Sequence, residues 1–292
     1  MESIWWVAKS LWDKGMIYEG KYILPYCPRC STVLSTHELA QGYKEKQDPA
    51  ITIRFKITKA PDSFSDPDMT NGKTYFLAWT TTPWTLPSNE GLCMGPDIDY
   101  VKILDNDSGD YYILAKARLS SYYKDEKSYT VVYEKKGSVF IGARYEPLFP
   151  YFASLSDPAY CAEQTSWKCE EGAFRMFNAD YVSTEDGTGI VHIAPAFGEE
   201  DSKVFKGTGI PAVEPMDAEC KFTKEVSDYA GRFVKDCDKD IMDRLKKEGK
   251  LVKRDTVLHQ YPHCWRCSSP LIYRGIGSWF VKVADQHERL LK

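Results

Sequence analysis

The chain of 292 residues is long enough for one large domain or two, and its 43% hydrophobic content, with 14% aromatic residues, is ample for a buried core. The 38 basic and 42 acidic residues give a formal net charge of −4, so no overall basic field attracts nucleic acid and any RNA contact must be local. No run approaches the roughly 18 apolar residues of a membrane span, and the start lacks a secretion signal, so we expect a cytoplasmic protein without a membrane partner.

The first predicted element is an amphipathic helix over residues 3–15, with Ser3 as N-cap and Gly15 as its stop. Its apolar positions recur at helical spacing: Ile4, Val7, Ala8, Leu11 and Trp12. The alternation of apolar and polar residues over 51–57 then predicts a half-buried strand. Further strands are predicted by apolar runs at 75–82, 99–104, 111–115, 129–134 and 189–193.

Clusters of turn-forming residues at 61–72 and 105–110 separate these strands. The second cluster spaces Asp105, Asp107 and Asp110 like the start of a calcium loop, but no glutamate follows at the required distance, so a hairpin turn is predicted. Helices are predicted over 202–206 and 236–248. Many short strands with few helices predict an α+β, strand-rich fold, in which helices are appended to a β-barrel.

The segment WTTTPWTLPSN, from Trp79 to Asn89, is the first motif of chemical interest. Pro83 cannot donate to a strand ladder, so the apolar run ends here and three threonine hydroxyls lie at the strand end. By itself this pattern most often has only a structural role in a sheet, because threonine is a good strand former.

The segment GTGIVHIAPAFGEED, from Gly187 to Asp201, is the second motif. It begins like a dinucleotide-binding fingerprint but carries His192 where the third glycine would stand, which argues against a nucleotide cofactor. Taken singly, His192 would be a core histidine and Asp201 a helix cap.

Together the two motifs resemble those of the editing domain of isoleucyl-tRNA synthetases, the connective polypeptide 1 insertion that hydrolyses wrongly attached valine. Valyl and leucyl relatives usually carry arginine where this chain has Thr82, which favours the isoleucine branch. The stretch 222–241 looks more like eukaryotic cytosolic members of the family. The resemblance implies hydrolysis of mischarged Val-tRNA(Ile), and of valyl-adenylate, in a β-barrel editing domain.

The resemblance also implies a role for each motif residue. Asp201 would hold the α-ammonium of the amino acid, and a helix N-terminus would keep its carboxylate ionised. His192 would limit the size of the amino-acid side chain, so that valine enters and isoleucine is refused. The rest of that wall would comprise Trp84, Thr85 and Tyr261. Contacts to the terminal adenosine, the ester carbonyl and the attacking water would come from Thr80, Thr81, Thr82 and Asn89.

Neither motif offers a serine or cysteine nucleophile paired with a histidine, so direct attack by water is expected, assisted by a ribose hydroxyl of the tRNA. The protein would then mainly position the substrate and stabilise charge. No redox or nucleotide cofactor is expected.

Two CxxC pairs, Cys27 with Cys30 and Cys264 with Cys267, suit a metal in a reducing compartment better than disulfides do. One shared structural zinc is favoured, because four thiolates complete a tetrahedral site. The alternative is two separate sites that recruit a histidine each, from the set His37, His259 and His263. The resemblance supports a zinc-ribbon-like base that pins together the ends of the barrel insertion.

Three parts are therefore expected: residues 1–45 with the first cysteine pair, the barrel at 46–258, and residues 259–292, which return towards an aminoacylation core. The HIGH and KMSKS signatures of that ATP-binding core are absent from these residues, so the chain is interpreted as a monomeric editing fragment. Its expected partners are the valine-carrying acceptor end of tRNA(Ile) and the parent synthetase core. The alternative is a zinc-dependent module that binds the acceptor end without catalysis.

Overall fold

A computed structural model describes residues 1–64, 66–287 and 291. Within those residues the α-helices are α1 Glu2–Asp13, α2 Thr36–Ala40, α3 Leu119–Tyr122, α4 Pro158–Thr165, α5 Glu199–Phe205 and α6 Asp238–Lys247. The strands are β1 Ile17–Cys27, β2 Thr32–Val33, β3 Tyr43–Lys59, β4 Thr74–Thr80, β5 Gly91–Met94, β6 Asp99–Asp105, β7 Tyr111–Ala115, β8 Tyr129–Lys136, β9 Arg144–Tyr145, β10 Arg175–Asn178, β11 Ile190–Ile193, β12 Leu251–Pro262 and β13 Ile272–Val281.

The larger sheet closes into a barrel. Its strand order is β12-β3-β9-β10-β5-β11-β4-β7-β6-β8, and an additional pairing of β3 with β4 joins the two ends of the six central strands. Strand β3 can do this because it is long: it pairs with β4 over 51–56 and with β9 from Ile57 onwards. The expected barrel with appended helices is confirmed.

The barrel interior holds the main hydrophobic core. Ile51, Ile53, Phe55 and Ile57 of β3 are at most 1% exposed, as the alternation in the sequence predicted. Outside the barrel, β6 and β7 form the predicted hairpin, with residues 106–110 as its turn.

The base of the molecule is a separate sheet of three strands in the order β13-β1-β2. A second antiparallel ribbon, β3 with β12, leads from this base into the barrel. The expected domain limits at 45/46 and 258/259 lie inside these two strands, so the ribbon is continuous through both positions. Within the described residues, no helix is long and apolar enough to cross a membrane.

Three long strands, β1, β12 and β13, were not predicted. Much of each strand is exposed to solvent, so its residues show no alternation of apolar and polar side chains. Backbone pairing to a neighbouring strand holds them instead.

Candidate active site

A cavity of about 390 Å³ opens where the two sequence motifs meet. Its lining includes Thr80, Thr81, Thr82 and Thr85; Gly187 to His192; Ala194, Phe197, Gly198 and Asp201; and Trp79, Tyr181, Ser183 and Asp186. The two motifs come together because β4 and β11 are neighbouring parallel strands, with Val191 opposite Trp79. Parallel neighbours end at the same edge of a sheet, so the residues that follow each strand converge.

The threonine segment leaves β4 as a tight turn. The Thr80 hydroxyl accepts from the Thr82 backbone N–H at 3.1 Å and lies 3.2 Å from the Thr82 hydroxyl. Pro83 then opens a 3₁₀-helix, Pro83–Ser88, in which the Thr85 hydroxyl donates to the Thr82 carbonyl at 2.8 Å. Within the described part of the chain, the Thr81 side chain makes no hydrogen bond and remains available at the cavity wall.

His192 is 7% exposed, and both of its ring nitrogens are occupied. Its Nε2 lies 2.8 Å from the Thr85 hydroxyl and its Nδ1 lies 3.1 Å from Asn89 Nδ2. Tyr145 donates to Asn89 Oδ1, so the Asn89 amide donates to Nδ1, and His192 carries its proton on Nε2.

Burial lowers the pKa of His192 to about 4, so the imidazole is neutral at pH 7. A neutral ring with both nitrogens hydrogen-bonded is poorly suited to take a proton from water. His192 therefore fixes the threonine segment against β11 and presents a rigid ring edge to the cavity.

Asp201 lies in the first turn of α5 and also lines the cavity. Its Oδ2 accepts from the Ala194 backbone N–H at 2.9 Å, and its Oδ1 accepts from the Tyr181 hydroxyl at 3.3 Å. Gly198 packs closely beside it: a Cβ there would lie 2.8 Å from the Asp201 carboxyl carbon and would displace the carboxylate.

The position of this carboxylate at a helix N-terminus does not hold its pKa at the ordinary value. Burial outweighs the hydrogen bonds and raises the pKa of Asp201 to about 6. The group is still mostly ionised at pH 7, and a cation bound in the cavity would compensate for its lost hydration.

The other expected site residues lie outside the cavity lining. Trp84 is buried behind Phe197, with ring centroids 5.0 Å apart, and Asn89 supports His192 from the core. Tyr261 is not brought to this cavity: its hydroxyl donates to the Leu271 carbonyl on the ribbon between barrel and base.

Tyr181 and Tyr145 are structural contributors that the sequence did not reveal. Tyr181 donates to Asp201 and lines the cavity, and Tyr145 orients Asn89 from β9. Each lies outside the two motifs, and only the fold brings it near them.

The four cysteines of the CxxC pairs converge at the base. The Sγ atoms of Cys27, Cys30, Cys264 and Cys267 all lie within 4.8 Å of one another. Tetrahedral zinc with sulfur ligands at about 2.3 Å would space the sulfurs about 3.8 Å apart, so the cluster fits such an ion. The Cys30 backbone N–H also points at Cys27 Sγ, at 3.4 Å, as suits a thiolate ligand.

The histidines of the two-site alternative do not belong to the cysteine cluster. His259 Nε2 lies 2.9 Å from Asp48 Oδ2, and His263 Nδ1 lies 2.9 Å from the Tyr261 carbonyl. His37 lies in the last turn of α2. Within the described residues, the four cysteines alone form a group able to hold a metal ion, which favours one shared site.

A closed barrel that brings a threonine segment and a GTG segment to one cavity has the arrangement expected of a synthetase editing domain. The chain belongs to the class I tRNA synthetases (I, L, M and V), whose family model matches residues 1–292. It is 57% identical to the isoleucine–tRNA ligase of Treponema denticola, 51% to that of Treponema pallidum and 48% to that of Bdellovibrio bacteriovorus, each over the whole chain.

The chain spans 25–27% of the length of these relatives. All three are bacterial, so they give no support to the expected eukaryotic lineage.

Two solved structures are similar in outline. The leucyl-tRNA synthetase editing domain of P. falciparum gives a TM-score of 0.47 at 11% identity, covering 71% of this chain and 99% of that chain. The editing domain from P. knowlesi gives a TM-score of 0.47 at 12% identity, covering 73% and 98%. The family assignment stands on the sequence relatives.

Proposed function

We propose that this chain is a proofreading site that hydrolyses Val-tRNA(Ile), and valyl-adenylate, and that refuses isoleucine. The observation that carries the proposal is that a half-buried carboxylate, Asp201, and a set of threonine hydroxyls line the same small cavity. An aminoacyl ester has a cationic ammonium, which a carboxylate can bind, and a neutral carbonyl, which hydroxyl groups can bind.

In the proposed reaction, Asp201 binds the α-ammonium and the Thr81 and Thr82 hydroxyls orient water and the ester carbonyl. Water adds to the carbonyl carbon, the bond to the ribose oxygen breaks, and that oxygen leaves with a proton as the free tRNA hydroxyl. The neutral imidazole of His192 takes no proton in this scheme. Its role is to limit the space for the amino-acid side chain and to hold Thr85.

Asn89 and Trp84 act in this proposal from behind the wall. Asn89 fixes the ring of His192, and Trp84 supports Phe197, which lines the cavity. Tyr261 is a candidate for substrate contact only if the substrate reaches the ribbon, because it lies away from the cavity lining.

Zinc is the metal proposed for the four-cysteine cluster, and its role would be structural. Held by Cys27, Cys30, Cys264 and Cys267, the ion would join the end of β1 to the turn between β12 and β13. The ion would pin the base of the barrel without taking part in hydrolysis.

The proposed partners are the acceptor end of tRNA(Ile) and the remainder of a synthetase. Support for the second comes from α1, on which Trp5 and Trp6 are 72% and 71% exposed and Ile4 is 72% exposed. Large apolar side chains in one exposed group mark an interaction surface. The cytoplasm is the proposed location.

The test is to compare the rates at which the chain deacylates Val-tRNA(Ile) and Ile-tRNA(Ile), with the Asp201→Ala variant alongside. We expect selective release of valine that is lost in the variant. Binding of tRNA(Ile) without release of either amino acid would refute hydrolysis and favour the non-catalytic binding module.

A further inference from the structure

The 3₁₀-helix that follows the three threonines is capped from another part of the chain. Its N-cap residue, Thr82, makes no side-chain capping hydrogen bond. The Trp84 backbone N–H, at the start of the turn, donates instead to Asp238 Oδ1 at 2.8 Å. Asp238 is the first residue of α6 and is 154 positions away in sequence.

This hydrogen bond is made by a residue whose neighbours in the turn line the cavity. The Trp84 amide lies between Thr82, whose carbonyl accepts from the Thr85 hydroxyl, and Thr85, whose hydroxyl meets His192 Nε2. The turn that Asp238 caps therefore carries both threonines, and one of them contacts the histidine ring. Initial N–H groups of a helix have no partner within it, so an oxygen supplied from outside fixes the position of the turn.

Charged and aromatic side chains surround Asp238. Lys235, on the turn that precedes α6, has its Nζ 4.2 Å from the ring centroid of Tyr261, and Lys46 of β3 lies 4.8 Å from the same centroid. Asp48 of β3 faces this group and binds Lys46. Burial raises the pKa of Asp238 to about 7 and lowers that of Lys235.

We propose that Asp238 is a positioning residue for deacylation: by accepting the Trp84 N–H, it holds the Thr82–Thr85 turn and the His192 ring in the geometry that the reaction needs. The inference rests on the proposed function for its activity readout. The hydrogen-bond geometry can be tested without activity. Tyr261, expected from sequence to form part of the pocket wall, belongs instead to the surroundings of this cap.

The experiment compares Asp238→Ala with Asp238→Asn, which keeps an acceptor oxygen. Asp243→Asn is the matched control, because Asp243 is an exposed residue of the same helix that forms an ion pair with Lys239. The kcat for Val-tRNA(Ile) should fall about tenfold to a hundredfold in the alanine variant, because small displacements of positioning groups cost rates of that order. The asparagine variant should retain most of the rate, and KM should change less than kcat.

The second readout is the nitrogen chemical shifts of His192 in histidine-labelled protein. The parent chain should show a neutral ring protonated on Nε2 from pH 5.5 to 8, and so should the asparagine variant. The alanine variant should show exchange between tautomers, because the Thr85 partner is displaced. Should the alanine variant not fold, the Trp84 amide proton gives the measurement: its shift should follow pH near 7 in the parent and not in Asp238→Asn.

Identical His192 spectra and rates in the alanine variant and the parent would overturn the inference. Equal losses in the alanine and asparagine variants would also overturn it, since charge rather than an accepted hydrogen bond would then matter. A parent chain that releases no valine, with His192 disturbed only in Asp238→Ala, would refute the proposed function and support the positioning role.

Discussion

Replacing Asp201 by asparagine should slow editing and stabilise the fold at the same time. Asparagine keeps an oxygen for the Ala194 N–H, which Asp201 Oδ2 accepts at 2.9 Å, but it has no charge to offer an ammonium. The two effects have opposite signs because the Asp201 carboxylate is partly desolvated in the cavity wall when no cationic substrate is bound.

The magnitude of the stability effect follows from the pKa. Raising the pKa of Asp201 from 3.8 to about 6 makes ionisation cost about 3 kcal/mol in the folded chain. A carboxyl whose pKa is higher in the folded chain than in the unfolded chain stabilises the fold at pH values below the unfolded-state pKa. That contribution is lost as the pH rises through the folded-state pKa. Asp201→Asn should therefore match the parent near pH 4 and exceed its free energy of unfolding by up to about 3 kcal/mol above pH 7.

The catalytic loss has a separate estimate. A hydrogen bond to a charged group contributes about 1.5–3 kcal/mol, which corresponds to a loss of about tenfold to 150-fold in kcat/KM for Val-tRNA(Ile). The assays are urea unfolding at pH 4.5 and pH 8 and deacylation at pH 8. Glu200→Gln is the control, because Glu200 is an exposed neighbour in the first turn of α5.

Two results would refute this reasoning. If Asp201→Asn is no more stable than the parent at pH 8, ionisation of Asp201 does not lower the free energy of unfolding. If it deacylates at the parental rate, the charge is not the ammonium anchor.

Three further predictions follow from the same geometry. The kcat/KM for deacylation should fall as pH drops through about 6, where Asp201 takes up a proton, with no step from His192, whose pKa lies at about 4; a profile flat to pH 5 would contradict this. Asn89→Ala should lower kcat about tenfold and free the His192 ring to change tautomer, as seen in its nitrogen shifts, because it loses the amide that fixes Nδ1. Cys264→Ser should reduce bound zinc, measured by elemental analysis, from one per chain to near zero and lower the urea midpoint; two ions per chain in the parent would contradict a shared site.

Much of the site could be predicted because its chemistry is local in sequence. The threonines, Asn89, His192 and Asp201 lie in two short motifs, and the apolar alternation from 51 to 57 indicated the barrel strand beside them. The exposed ribbon strands β1, β12 and β13 could not be predicted, because backbone pairing leaves no periodic pattern of apolar side chains.

The family, the two motifs and the pairs of cysteines could be identified without a structure, since each depends on residue types at fixed spacing. That β4 and β11 are parallel neighbours, which places the motifs at one cavity, follows from the folded chain and from no pattern in the sequence. The tertiary structure also placed Tyr181 against Asp201, brought Asp238 to the Trp84 amide and left Tyr261 on the ribbon. The contacts of Tyr181 with Asp201 and of Asp238 with Trp84 join residues 20 and 154 positions apart, and their pairing depends on strand order and burial, which no local spacing encodes.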